Sequence, residues 1–196
     1  MLGSKLKSVQ VILGSQSPRR KELLASLDID FNVLVKSVDE TIPSTLNPLE
    51  SAEYLAIKKM QAFDSVEFQE SLLITADTVV IDQQNCVLGK PRSREEAIQI
   101  LASLSGNSHQ VLTGVALRYK GRTMSFTEKT IVNFEVLDAL EIQYYVDKYQ
   151  PFDKAGAYGI QEWIGRIAVS HLEGSYENVM GLPTARLYRA IAQIMN

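Results

Sequence analysis

Apolar and polar positions along the chain change their period several times, and each change predicts an element. The β-branched run Val9 to Leu13 predicts a strand, Pro18 to Leu27 a helix, and Phe31 to Val35 a second strand. Asn47, Pro48 and Glu50 carry the signals of a capped helix start: an N-cap, a proline at the first helical position and a capping-box glutamate. That helix is expected to run to about Phe63. Leu72 to Ile81 is apolar almost throughout, the pattern of a strand buried on both faces. Ser93 and Glu96 form another capping-box pair before the stripe Ala97, Ile98, Leu101 and Leu104, and Gly106 supplies the stop.

From His109 to Phe134 consecutive strands are expected, with Lys120-Gly121-Arg122 as the turn between Val115 to Tyr119 and Thr123 to Phe134. Asp138 and Glu141 open a helix that must end before Pro151. Ile167 to Leu172 predicts a late strand, and Pro183 to Ile194 a closing amphipathic helix. Alternating strands and helices with a hairpin among them predict an α/β fold with a mixed sheet.

Composition narrows the functional classes. The 196 residues are 45% hydrophobic and 22% charged, an ordinary globular balance, and one domain over 1–196 is expected. Twenty basic against 23 acidic residues give a net charge of −3, so no phosphate-neutralising surface for stable DNA or RNA binding is expected. One cysteine, Cys86, and two histidines, His109 and His171, are too few for a disulfide or a zinc cluster. No stretch reaches the ~20 apolar residues of a membrane span and the N-terminus carries no signal-type core, so a soluble, cytoplasmic protein is expected.

Chemistry concentrates in a few segments. In Leu13-Gly14-Ser15-Gln16-Ser17-Pro18-Arg19-Arg20 a strand leaves through small residues into a helix capped by Ser17. Arg19 and Arg20 fall in the first turn, where the helix dipole disfavours cations. An anion would resolve the conflict, met by amide N–H groups, hydroxyls and guanidinium forks. The same segment also reads as a capped helix with solvated arginines, and its glycine spacing excludes a Walker A loop. Asp77 closes the apolar run Leu72 to Ala76 at a strand end, where open α/β sheets place ligands. Glu40, in Val38-Asp39-Glu40-Thr41, is a candidate second oxygen ligand for magnesium or manganese, or simply part of a solvated acidic loop.

Lys59 shares a helical stripe with Ala52, Ala56, Met60 and Phe63, so it either snorkels to solvent or meets an anion. Lys90, in Leu88-Gly89-Lys90-Pro91, is a loop lysine able to join it. Asp153 to Gln161 combines glycines that admit close backbone approach, the ring of Tyr158 and the Gln161 amide, which can donate to and accept from a base edge; it also reads as a glycine-rich turn before a strand. Serine-hydrolase chemistry finds no nucleophile elbow.

In order, SQSPRRKELL (15–24), VDET (38–41), LAIKKMQAF (55–63), ADTVV (76–80), GKP (89–91), LSGNSHQVLTGVAL (104–117), DKAGAYGIQ (153–161) and GSYENVMGLP (174–183) resemble the Maf family of nucleoside triphosphate pyrophosphatases. The resemblance implies two α/β lobes around a central cleft, similar to the inosine triphosphate pyrophosphatases, and a homodimer. It implies hydrolysis between the α and β phosphates to the monophosphate and pyrophosphate, with a divalent metal cation. Carried onto this sequence, it makes Asp77, Glu40, Lys59 and Lys90 catalytic, with Asp77 and Glu40 on the metal, and Ser15, Arg19 and Arg20 phosphate-binding. The ending AYGIQ resembles the branch acting on dTTP and UTP, with Arg19, Thr78 and Gln161 at the positions tied to that specificity. Modified purine substrates (7-methyl-GTP, ITP or XTP) and a non-catalytic role in septum formation are the alternatives. Glu162 and Trp163 depart from the family, where a glycine usually follows the glutamine, and predict a narrower or reshaped base pocket.

Overall fold

Three strands at the amino-terminal side run parallel, and their connections are the helices the sequence pattern predicts. The computed structural model describes residues 2–196. In chain order these residues form α1 (Leu2–Leu6), β1 (Val11–Leu13), α2 (Pro18–Ala25), β2 (Asn32–Val33), α3 (Ser51–Gln61), β3 (Leu72–Ile81), β4 (Val87–Leu88) and α4 (Arg94–Leu104). There follow β5 (Ser108–Tyr119), β6 (Arg122–Phe134), α5 (Ala139–Tyr149), α6 (Trp163–Ala168), β7 (Val169–Glu173), α7 (Tyr176–Met180) and α8 (Thr184–Ile194). The sheet is mixed, in the order β2-β1-β3-β5-β6-β7, with β4 paired to β3. β1 is parallel to both β2 and β3, whereas β3–β4 and β6–β7 are antiparallel.

The chain divides into two compact units. The first comprises the residues up to Asp77, Thr113–Glu128 and Gly181–Asn196; the second comprises Thr78–Leu112 and Lys129–Met180. Each has its own core. In the first, Ile12, Ala56, Met60, Phe63, Phe68, Leu73 and Ala116 pack together, with Phe63 and Phe68 edge to face at 5.5 Å. In the second, Leu101, Leu104, Val132, Phe134, Tyr145, Val146, Tyr158 and Ile164 belong to one cluster.

α3 is seated on the first unit's strands by three features. A Cβ placed on Gly114 would lie 2.2 Å from the backbone of Ala52, so only glycine lets the helix approach β5 this closely. Glu53 accepts hydrogen bonds from Ser125 Oγ (2.7 Å) and Thr127 Oγ1 (2.9 Å) on β6. The buried Thr75 hydroxyl of β3 donates to the Ala56 carbonyl at 2.8 Å.

Several local expectations shift in detail. β3 matches its expected span to the residue, and Asp138 with Glu141 makes a complete capping box. At the start of α3 a 3-10 turn, Pro48–Glu50, intervenes. Asn47 accepts from the Leu49 N–H, and no box with Glu50 forms among the described residues. Ser93 Oγ accepts from the Glu96 N–H as expected, while the Glu96 carboxylate takes the N–H of Arg92 instead. The β5–β6 turn is the two residues Lys120 and Gly121, both at positive φ (48° and 77°), which suits the strand twist. The short helices α1, α6 and α7 were not legible, being about one turn each and lacking a full apolar period.

Candidate active site

The site grows from the carboxyl ends of parallel strands in the first unit. β1 ends at Leu13, in register with Ile74 of β3, so the loop Gly14 to Ser17 emerges beside the last residues of β3 in this unit. Gly14 N–H still donates to the Ile74 carbonyl at 2.8 Å. Ser17 then caps α2, its hydroxyl accepting from Arg20 N–H, and Pro18 occupies the first turn. This is the position where doubly wound sheets collect ligands, because chains leave neighbouring strands in opposite directions there.

Six of the expected residues, Ser15, Arg19, Arg20, Glu40, Lys59 and Asp77, meet in this unit. Ser15 is buried and its hydroxyl accepts from Arg20 Nη1 at 3.2 Å and from the Ser17 N–H at 3.3 Å. Arg20 is held a second time, its Nε donating to the Gly181 carbonyl at 2.8 Å. Burial pushes the Arg20 guanidinium pKa down, the fields of Asp77 and Glu40 push it up, and that of Arg19 pushes it down. Four charges are thus close enough to act on one another, and an arginine stays protonated throughout.

Lys59 is the hub. Its ammonium contacts the Asp77 carboxylate directly and lies 2.7 Å from Glu40 Oε1. Thr75 and Asp77 alternate onto one face of β3 and address Ala56 and Lys59, three residues apart on α3. The acidic loop is pinned to the same helix, because Asp39 Oδ2 meets Lys58 at 3.3 Å while Glu40 meets Lys59. Asp39 also accepts from the Thr41 hydroxyl and N–H, and these bonds hold its pKa below the usual carboxylate range. Of the two outcomes open to Lys59, snorkelling and meeting an anion, the second is found: its side chain is 15% exposed and paired. One ammonium touching two carboxylates marks a place that one hard cation fits, since magnesium binds through one or two carboxylates plus substrate phosphate oxygens.

Thr78, Lys90 and Gln161 belong to the second unit. Lys90 is exposed on the loop after β4, and the carbonyl of its neighbour Gly89 accepts from Gly156 N–H at 3.2 Å. Gln161 lies in a turn closed by the Glu162 N–H donating to the Gly159 carbonyl at 3.0 Å. Among the described residues its buried Oε1 has no hydrogen-bond partner. The glycine-rich segment leads into α6 rather than directly into a strand.

Other residues singled out in the sequence find partners within the second unit. Tyr158 is a core residue: it is buried, its hydroxyl bonds His109 Nε2 at 2.8 Å, and its ring packs edge-on against Phe134 and His109. Glu162 and Trp163 are engaged by α5, Glu162 accepting from the Tyr145 hydroxyl and Trp163 packing on Tyr144 at 5.0 Å. The Tyr145–Glu162–Lys154 cluster was not legible in sequence, because its members are 8, 9 and 17 positions apart and share no motif.

Comparison with known proteins places the chain in a family. The family model described as Maf-like protein matches residues 10–194. A dTTP/UTP pyrophosphatase of Bacteroides thetaiotaomicron is 50% identical over 196 residues, covering 99% of this chain and 100% of its own. One of Flavobacterium psychrophilum is 46% identical, covering 96% of each chain. A remote likeness is to the Staphylococcus aureus Ham1 protein structure, at 16% identity and a TM-score of 0.46, covering 64% of this chain and 71% of that one. With a model match over nearly the whole length and full-length relatives at half identity, the chain belongs to the Maf-like protein family.

Proposed function

We propose that this chain is a nucleoside triphosphate pyrophosphatase that converts dTTP and UTP, with water, to the monophosphate and pyrophosphate. The observation that carries the reading is the Lys59 ammonium shared by Asp77 and Glu40, with Arg20 and Ser15 beside it at the end of a parallel strand. Relatives named dTTP/UTP pyrophosphatase support the substrate assignment. The enzyme works as a single domain over residues 1–196, a cytoplasmic homodimer that clears the nucleotide pool.

Asp77 and Glu40 are the residues that would hold a magnesium or manganese ion, which when bound would supply Lewis-acid polarisation of a phosphoryl group and acidify water. Ser15, Arg19 and Arg20 receive the phosphate chain: a hydroxyl donor and two planar guanidinium forks match phosphoryl oxygens. Lys59 and Lys90 offset negative charge that develops on the bridging and terminal oxygens as the α–β bond breaks. Asp77 either receives the proton of the attacking water or serves only as one of the residues that would hold the cation. Thr78 and Gln161 read the base. The Gln161 amide, with an acceptor oxygen and a donor nitrogen, complements the N3 and O4 edge of thymine or uracil, which cytosine presents with reversed polarity.

Pyrophosphate release from dTTP, UTP, CTP, dCTP, GTP, 7-methyl-GTP and ITP, with magnesium or manganese, tests the assignment. Wild-type protein is expected to favour dTTP and UTP, and Asp77→Ala to lower that turnover at least ~100-fold. Turnover confined to purines would overturn the base assignment, and turnover indifferent to Asp77 would overturn the site.

A further inference from the structure

The second unit contains a charged cluster around the buried Lys154 that the chemistry of phosphate hydrolysis does not use. Lys154 is 8% exposed, and its ammonium pairs with Asp153 Oδ1 at 2.7 Å and Glu162 Oε1 at 3.3 Å. The other oxygen of Glu162 accepts from the hydroxyl of Tyr145, a residue of α5 with no exposed surface. That same hydroxyl oxygen accepts the Gly159 N–H at 3.0 Å. Finally, Glu162 N–H donates to the Gly159 carbonyl.

These bonds form a closed circuit around four residues, Gly159 to Glu162, and enclose Ile160 and Gln161. The packing is as tight as the bonding: a Cβ on Gly159 would lie 2.8 Å from Glu162 Cδ. Burying the Lys154 ammonium and most of the Glu162 carboxylate is costly unless both are paired, and here both are. Burial and the bond to Glu162 push the Tyr145 hydroxyl pKa up, so the phenol stays a proton donor at any working pH. The Gln161 Oε1, by contrast, is buried and, among the described residues, without a partner. A buried amide oxygen left open beside a locked turn is the arrangement expected of a group held for a ligand.

We propose that Glu162 is a positioning residue for base selection: through Tyr145 and Lys154 it holds the Gly159 to Glu162 turn so that the Gln161 amide presents one fixed edge. The proposal rests on the base-reading role given to Gln161 above. Its consequence is a discrimination between thymine and cytosine that depends on Glu162, although Glu162 touches no substrate. Loosening the turn lets the amide rotate or withdraw. The penalty against the wrong base then falls, while the phosphate chemistry, in which neither Glu162 nor Tyr145 takes part, continues.

The experiment compares kcat/KM for dTTP and dCTP, both measured on the same preparation of each protein so that any loss of folded fraction cancels in the ratio. Glu162→Gln keeps an acceptor for Tyr145 and removes the charge facing Lys154; Tyr145→Phe keeps the packing and removes the bridging hydroxyl. In both, the dTTP preference is expected to fall about tenfold, through a raised KM for dTTP with kcat held within about twofold. Gln161→Ala should abolish the preference altogether. If Gln161→Ala abolishes it while neither Glu162→Gln nor Tyr145→Phe moves it, the positioning role is overturned and base reading stands. If Gln161→Ala leaves the preference intact, base reading by Gln161 fails and the positioning role fails with it. If kcat falls equally for both nucleotides with the ratio unchanged, the cluster is purely structural and the proposal is overturned.

Discussion

Two carboxylates facing each other across a few ångströms repel, and the residue that makes Asp77 and Glu40 compatible is Lys59. Residue types alone showed that a carboxylate at a buried strand end needs a partner and that a lysine on an apolar stripe either snorkels or meets an anion, but not which partner each finds. His109 shows what residue type does not disclose. It is 2% exposed, bonded to the Tyr158 hydroxyl, and burial pulls its pKa down to about 4 from 6.5. The folded state therefore holds it neutral while the unfolded chain takes up a proton below pH 6.5. Stability from this residue is fully present above pH 6.5 and is lost progressively as the pH falls toward 4, at up to ~1.4 kcal/mol per pH unit and about 3 kcal/mol in all. Urea unfolding at pH 7 and pH 5 should show that slope in the wild type and a flatter one in His109→Gln.

At the scale of elements, α3 is the part that places chemistry. It carries Lys58 and Lys59 to the acidic loop and is fixed by Glu53 to β6, by Thr75 to β3, and by the bare backbone of Gly114 on β5. Gly114→Ala puts a methyl group 2.2 Å from the Ala52 backbone, so the helix must lift. A loss of about 1–3 kcal/mol in denaturant unfolding is expected, with a fall in turnover larger than that loss of folded protein explains, because Lys59 moves with the helix. A Gly114→Ala protein as active and stable as wild type would show that α3 is not held by this contact. Long elements with full periods were legible: β3, α4, α5 and α8 lie where the pattern puts them. One-turn helices were not, because a single turn carries too few positions to show a period.

At the scale of the molecule, two units with separate cores share one chain that crosses between them within β3, β5 and β6. Among the described residues no helix is long and apolar enough to cross a membrane. A nucleotide that binds only the folded protein adds its binding energy to stability, so dTTP at a hundred times its dissociation constant should stabilise catalytically silent Asp77→Ala protein by about 2.7 kcal/mol. A thermal shift read with dTTP and dCTP at equal concentration checks this, and equal shifts would argue against base recognition. Sequence by itself determined the α/β class, the order of the long elements, the family and the charged residues of the candidate site, because periodicity and the pairing needs of charges are local properties. Only the tertiary structure decided that Lys59 joins Asp77 to Glu40, that Tyr158 belongs to the core, and that Tyr145, Lys154 and Glu162 close around the turn of Gln161. Those contacts join residues up to tens of positions apart, and which of many possible partners a buried polar group finds is settled by the packing of whole elements, not by any spacing along the chain.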